Sequence, residues 1–429
     1  MALEDLGKPT ILYADGDFAK LGRMVATSKG SPMLPIAHVP PPIGGLGEKN
    51  NKSAEDVIQD VINALTRMPV EAAGKGGASD DVITVSGNDY FEAVNNMNEL
   101  FTQKKWSDAL PVVPPTPEAV AKMLKGTSHS PDEVVGVIEQ RKGIATVKVV
   151  AINAVMAGCK PEHLPVVLAA VKASTDPAHN LYGVQATTAP AVPCLVVNGP
   201  VRKELSINCA KNCWGPGNPA NSPIGRAFNL VMIGVGGRLE CTMTSFGDGG
   251  RYSWCFGEYE EELPPGWLPL HVDKGYKPEE STVSIINVHW RSPIHGFFAP
   301  TTDEQSVDHL AESIMLDSPH WYGEYMVTLA PEIAAQVARI APTKYELKKM
   351  IMEKTKQPWR ILKERQQAKI GDFPPKGVTI PSDDYMLSPI MSKPEELNVV
   401  VCGGASRHSY FLVPWIRTHT ITESIDAWK

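Results

Sequence analysis

The sequence predicts an α/β protein: a small N-terminal βαβ-like unit followed by a larger mixed α/β domain with long Gly/Pro-rich loops. Three observations lead there. Short apolar runs bounded by turn residues alternate with stretches of helical apolar spacing along the 429 residues. The 37 prolines and 35 glycines lie scattered between those stretches, which calls for many short, shaped loops. At roughly 150 residues per domain the length allows two or three units. They read as an N-terminal α/β domain over 1–105, a main domain over 106–363 that carries the site, and a linker with a C-terminal strand segment over 364–429 that packs on the main domain.

Taken in order, residues 9–14 form a short apolar run, a Pro/Gly-rich loop follows at 40–45, residues 53–68 have helical spacing, and 81–86 read as a second strand. This strand–helix–strand order is the βαβ-like unit. Residues 88–103 place Phe91, Val94, Met97, Leu100 and Phe101 on one helical face. Thr116, Pro117 and Glu118 supply an N-cap, a first-position proline and a first-turn acid. Ser130-Pro131-Asp132-Glu133 repeats that start signal. From 145 to 174 small and apolar residues recur with little charge, broken at Gly158 to Pro161, which predicts two closely packed helices. Strands are expected at 193–198, 282–288, 325–330 and 397–401, and helices at 224–232, 303–316 and, capped by Thr343, 343–356.

Lys plus Arg total 41 and Asp plus Glu 48, a net charge of −7 without a long basic block, so nucleic acid is not an expected partner. No window approaches the roughly 18–20 apolar residues of a membrane span. The opening Met1-Ala2-Leu3-Glu4-Asp5 carries acid where a secretory signal carries base, and a cytoplasmic location is expected. Seven cysteines, none in the first 158 residues, do not read as a disulfide framework.

The loop from Ile207 to Ala220 holds few large apolar residues, and within it Cys209 and Cys213 form a C-x3-C pair beside Lys211. An exposed thiol near a cation and backbone N–H groups has the setting of a nucleophile, sulfur carrier or dithiol reductant. Two inert loop thiols are the plain alternative. A third reading makes Cys209, Cys213 and Cys255 ligands of zinc or an iron–sulfur cluster, although the paired short spacings usual for such sites are absent. Arg226, opening the helix after the Gly/Asn loop, is the first candidate for clamping an anion; Arg251 and Arg291 are further candidates, for which a solvated or structural salt bridge is the plainer reading. Asn218, Asn221, Thr187 and Thr188 are candidate substrate contacts. Glu258 follows an aromatic cluster suited to raising a carboxyl pKa for acid–base work. His271 and His408 each end an apolar segment beside turn residues, where a strand delivers a side chain to a cleft. The P-loop, zincin and nucleophile-elbow motifs are missing.

Trp106-Ser-Asp-Ala-Leu-Pro-Val-Val-Pro-Pro-Thr, Asn153-Ala-Val-Met-Ala-Gly-Cys-Lys-Pro-Glu-His-Leu-Pro-Val-Val, Ala186-Thr-Thr-Ala-Pro, Asn198-Gly-Pro and Gly215-Pro-Gly-Asn-Pro-Ala-Asn-Ser-Pro-Ile-Gly-Arg-Ala occur in that order. Together they resemble the bacterial UGSC-like family, over roughly residues 86–330 and more weakly to about 415. The family is named for a selenocysteine-Gly-Ser-Cys motif in an N-terminal domain, so the resemblance implies redox or thiol chemistry. Because the N-terminal region here has no cysteine, the expectation moves that chemistry to Cys209 and Cys213, with Cys159 of the Met-Ala-Gly-Cys segment as a third candidate. The expected function is an enzyme using cysteine on a small anionic substrate, making or breaking a C–S bond or transferring sulfur. Installing a thiol on a small sulfonate or carboxylate, as coenzyme M assembly requires, is one instance. A metal- or cluster-dependent lyase or hydratase and a non-catalytic binding subunit are the alternatives. Expected partners are the substrate and a sulfur donor or reductant protein, and the expected assembly is a homo-oligomer.

Overall fold

The fold is described by a computed structural model. It describes residues 10–14, 16–28, 31–32, 34–38, 58, 61–62, 65–66, 82–294, 302–317, 323–365 and 379–429. The molecule is mixed α/β, as the alternation of strand and helix signals requires.

The N-terminal βαβ unit is present, but from different residues than expected. Strands β1 (Leu12–Ala14) and β2 (Ile36–His38) pair in parallel across the helix Gly16–Ser28. That helix buries Ala19, Leu21 and Ala26, and its two buried alanines are small enough to let it lie close on a two-stranded sheet. Residues 82–87 are not a strand. Most of the expected helix at 53–68 lies outside the described residues, although 58, 61, 62, 65 and 66 are helical. The loop expected at 40–45 and residues 366–378 of the expected linker lie outside them too.

The helix Tyr90–Gln103 is capped by Asp89, whose side chain accepts from Glu92 N, and buries Met97 but leaves Phe91 exposed. Thr116 caps the helix Pro117–Met123 by accepting from Ala119 N. Ser130 to Glu133 do not start a helix. Glu133 N donates to Ser130 O, and the turn leads into the antiparallel hairpin of β3 (Val134–Ile138) and β4 (Gly143–Thr146). Proline in a β-turn and proline at a helix start give the same local signal. What decides is the run of β-branched residues that follows, Val134, Val135, Val137 and Ile138.

The rest of the molecule is built on one curled sheet. Its strands are β5 (Val192–Asn198), β6 (Cys255–Gly257), β7 (Thr282–Pro293), β8 (Tyr325–Leu329), β11 (Leu397–Val401), β12 (Tyr410–Pro414) and β13 (Ile421–Ser424), in the order β11-β8-β12-β7-β5-β6 with β13 also on β7. β9 (Gln357–Pro358) and β10 (Met386–Leu387) form a separate short pair. The pairs β11–β8 and β5–β6 are parallel and the others antiparallel.

Side chains alternate across a strand, and here each face has its own cover. Leu195 and Val197 of β5 with Val283 and Ile285 of β7 meet the helices Val147–Met156, Leu164–Ser174 and Asn221–Gly234. The first two are apolar on nearly every side, which fits helices enclosed between a sheet and a third helix. Tyr325, Val327, Val399, Phe411 and Val413 meet the helices Asp303–Asp317, Pro331–Val337 and Lys344–Lys354. The opposite alternation set, Cys194, Val196, Phe256, Ile286, Val288, Met326, Val400 and Leu412, forms one cluster along the inner face. Cys213, Trp254, Leu270 and Cys402 complete it. No helix among the described residues is long and apolar enough to cross a membrane.

Candidate functional site

The two edges of the curled sheet approach each other, and the polar loop 207–220 lies between them. Gly257 N at the β6 edge donates to Asn208 O at 3.2 Å, and Gly403 N beyond β11 donates to Cys209 O at 2.8 Å. Tyr259 N also reaches Val401 O directly at 2.7 Å. Glycine is needed at this crossing: a Cβ on Gly404 would stand 2.9 Å from Lys211 Cβ, and Gly403 has φ +95°. The loop therefore caps the inner face with Cys213 and Trp214.

Its shape is held by its own asparagines. Asn221 Oδ1 accepts from Asn208 N at 2.8 Å while its Nδ2 donates to Asn208 O at 2.9 Å and Cys213 O at 3.2 Å. Asn218 Oδ1 accepts from Asn208 Nδ2 at 2.8 Å, and its Nδ2 donates to Asn212 O and Gly215 O. Asn218 and Asn221, expected as substrate contacts, thus use their amides to fix where Cys213 sits.

The thiols regroup relative to expectation. Cys213 and Cys402 are each 6% exposed and share the inner cluster with fully buried Cys194. A hydrogen bond from the Cys402 thiol, joined by the backbone N–H groups of Gly403 and Trp214, holds the Cys213 thiol below its ordinary range against the opposing effect of burial. Cys402 moves the other way, raised by that same hydrogen bond, by burial and by the nearby Glu258 charge. Of the two thiols, Cys213 is thus the one whose ionisation its surroundings favour and Cys402 the one whose ionisation they oppose. Cys209 partners Arg202 instead, Nη1 to Sγ 3.9 Å, and burial pushes its thiol up. Cys159 and Cys255 lie on the other face of the sheet. Burial raises both, Cys255 to about 12. Among the described residues no three His, Cys, Asp or Glu side chains converge as a metal requires, so Cys209, Cys213 and Cys255 do not form the ligand set considered above.

Glu258 is fully buried behind Cys402. Its Oε1 meets Lys344 Nζ at 2.7 Å, and its Oε2 accepts from Asn198 Nδ2 at 2.7 Å and Leu270 N at 2.6 Å. Both carboxylate oxygens are thus engaged by Lys344, Asn198 and Leu270, and the side chain does not face solvent. His271 is also fully buried, and neither ring nitrogen has a hydrogen-bond partner among the described residues.

Arg226 holds no open anion site. Its guanidinium makes two 2.9 Å bonds to Asp108 and donates to the carbonyls of Leu110 and Pro111, tying the Trp106 to Val112 segment to the helix Asn221–Gly234. Arg291 differs. It stands over the Trp254 ring at 5.2 Å with a single 3.3 Å contact to Asp248, and its charge acts on Cys194. Trp254 packs edge-on to Trp214, ring centroids 5.3 Å apart, and Trp214 lies 5.1 Å from Tyr410. The Nε1 of both tryptophans is buried with no acceptor among the described residues. Thr187 and Thr188 shape the turn before β5: Thr187 Oγ1 accepts from Ala189 N, and Thr188 O from Ser245 N. His408 is exposed on the turn between β11 and β12.

Sequence reasoning missed Cys402, Lys344 and the tryptophan pair. A signal existed for Cys402, since Cys402-Gly403-Gly404 ends a buried strand in a turn that permits close backbone approach. No local signal couples Lys344, on a charged helix, to Glu258.

A model of the UGSC family matches residues 1–67. The matched family is the one that the later motifs resemble, on a different stretch: the match covers the βαβ unit, which contains no cysteine, and none of the motifs quoted above. Neither the curated proteins nor the solved structures contain a match.

Proposed function

We propose that the chain is an enzyme whose reacting group is the Cys213 thiolate, acting on a small anionic substrate to make or break a C–S bond or to transfer sulfur. The observation that carries this reading is the placement of Cys213 beside Cys402 in the buried inner cluster, a water-poor setting in which the neighbouring thiol and the backbone at Gly403 and Trp214 act to lower its pKa. Cys402 holds the proton that a leaving thiolate or alkoxide needs, and the buried Glu258 charge favours its staying there. Arg291, with the acceptor-free indole N–H groups of Trp214 and Trp254, supports an anionic substrate, because indole nitrogen only donates and guanidinium prefers carboxylate or sulfonate oxygen. Cys209 and Arg226, first in the sequence reading, take supporting positions.

Competitive alkylation tests the reading. Iodoacetate, an anion, ordinarily reacts with thiolates more slowly than neutral iodoacetamide. At Cys213 the order is expected to reverse by several-fold, and Arg291→Met restores the ordinary order. Slow labelling of Cys213 by both reagents, or a preference for iodoacetamide unchanged by Arg291→Met, would overturn the proposal.

A further inference from the structure

We infer that Cys213 and Cys402 form a reversible disulfide, so that the site is a dithiol–disulfide couple and depends on a dithiol reductant as partner. The inference rests on the reading of Cys213 as the reacting sulfur and adds to it a second, resolving sulfur. The two residues come from elements far apart in sequence, yet the crossing of the loop 207–220 over the end of β11 sets them side by side. Gly403 N is bonded to Cys209 O, Gly404 lies against Lys211, and both sulfurs belong to one buried cluster. The two thiols act on each other's ionisation, in opposite directions, as near neighbours do.

The chemistry balances with a small disulfide as oxidant. The Cys213 thiolate attacks one sulfur of RSSR, its S–S bond breaks, RS⁻ leaves, and Cys213 carries a mixed disulfide. Cys402 then attacks the Cys213 sulfur and expels the second R group as RSH, its own proton leaving with that thiol. One disulfide has been reduced and one formed. Two features favour completion of the second step. Cys402 shares the inner cluster with the sulfur it must attack, and each residue is only 6% exposed, so a bulky R group on Cys213 has little room. Among the described residues, fully buried Cys194 is another thiol whose charge acts on Cys402, which makes it the competitor to exclude.

The test treats the whole chain with oxidised glutathione or 4,4′-dithiodipyridine, followed by intact mass and peptide mapping. The wild-type chain is expected to lose two hydrogens, about 2 Da, without retaining an adduct. The bridge maps to Cys213 and Cys402, iodoacetamide labelling of Cys213 falls to background, and dithiothreitol restores it. Cys402→Ser is expected to trap the mixed disulfide on Cys213. A stable adduct on wild-type Cys213, or a bridge that maps to Cys194, overturns the inference while leaving Cys213 as the reacting thiol. Slow alkylation of untreated Cys213 overturns the underlying reading instead. The wild-type result stands on its own should the Cys402 variant not fold.

Discussion

Replacing Lys344 by methionine removes the cation from a pair in which Lys344 is 1% and Glu258 0% exposed, at 2.7 Å. Glu258 then keeps two donors, Asn198 Nδ2 and Leu270 N, but no charge to balance its own. Removing one partner of a buried ion pair costs about 3–5 kcal/mol. The two remaining hydrogen bonds place Lys344→Met near the lower end, at about 3 kcal/mol. At an m-value of about 3 kcal/mol/M this lowers the urea midpoint by about 1 M. Adding Glu258→Gln removes the stranded charge while keeping an oxygen for the Leu270 amide, so the double variant is expected within about 1–2 kcal/mol of wild type, less destabilised than the single one. Equilibrium unfolding in urea, followed by fluorescence and circular dichroism, measures both. A single variant with an unchanged midpoint, or a double variant in which the two losses add, would refute the assignment of Glu258 as a buried, paired charge.

Three further outcomes are expected. Arg226→Ala loses four hydrogen bonds, two of them to a nearly buried carboxylate, and should cost about 2–4 kcal/mol in urea unfolding; a loss of iodoacetate selectivity without any loss of stability would make it an anion clamp after all. Cys209→Ser is expected to leave the fast labelling of Cys213 intact, whereas Cys213→Ser abolishes it, read by peptide mass mapping; the reverse would return the chemistry to Cys209. Burial would raise Glu324, but bonds from His419 and Lys274 outweigh it and hold its carboxyl at about 2, while His419 is raised by Glu324. The carboxylate's stabilisation is complete above its ordinary value and is lost as pH falls toward 2; that of His419 is complete below its ordinary value and is lost as pH rises through its raised one. His419→Gln should therefore flatten the loss of stability above neutral pH in thermal unfolding at graded pH, and an unchanged alkaline limb would count against the pair.

Much of the fold was legible because its signals are local. Thr116 and Thr343 cap helices where their sequences require. The uncharged run from 145 to 174 becomes two enclosed helices, and Val192–Asn198 is a strand buried along its whole length. The helix Gly16–Ser28 was also legible, since Phe18, Leu21 and Val25 recur at helical spacing, but the stronger apolar run at 53–68 drew the assignment. The site was less legible because long-range contacts decide it. Arg226 reads as an open clamp until Asp108, 118 residues earlier, is seen to occupy it. Cys213 reads as the partner of Cys209 because they are four residues apart; curling of the sheet gives it Cys402 instead. Asn218 and Asn221 have the right chemistry for a ligand, but the loop uses it internally.

A Cys213 thiolate stabilised by the Cys402 thiol has a titration signature of its own. The rate of iodoacetamide alkylation at Cys213 as a function of pH, in wild type and in Cys402→Ala, tests it most directly. The wild-type midpoint is expected below the ordinary thiol value of about 8.5, and that of Cys402→Ala higher, because the neighbouring thiol is gone. A wild-type midpoint at or above the ordinary value, or one that Cys402→Ala leaves in place, would contradict it.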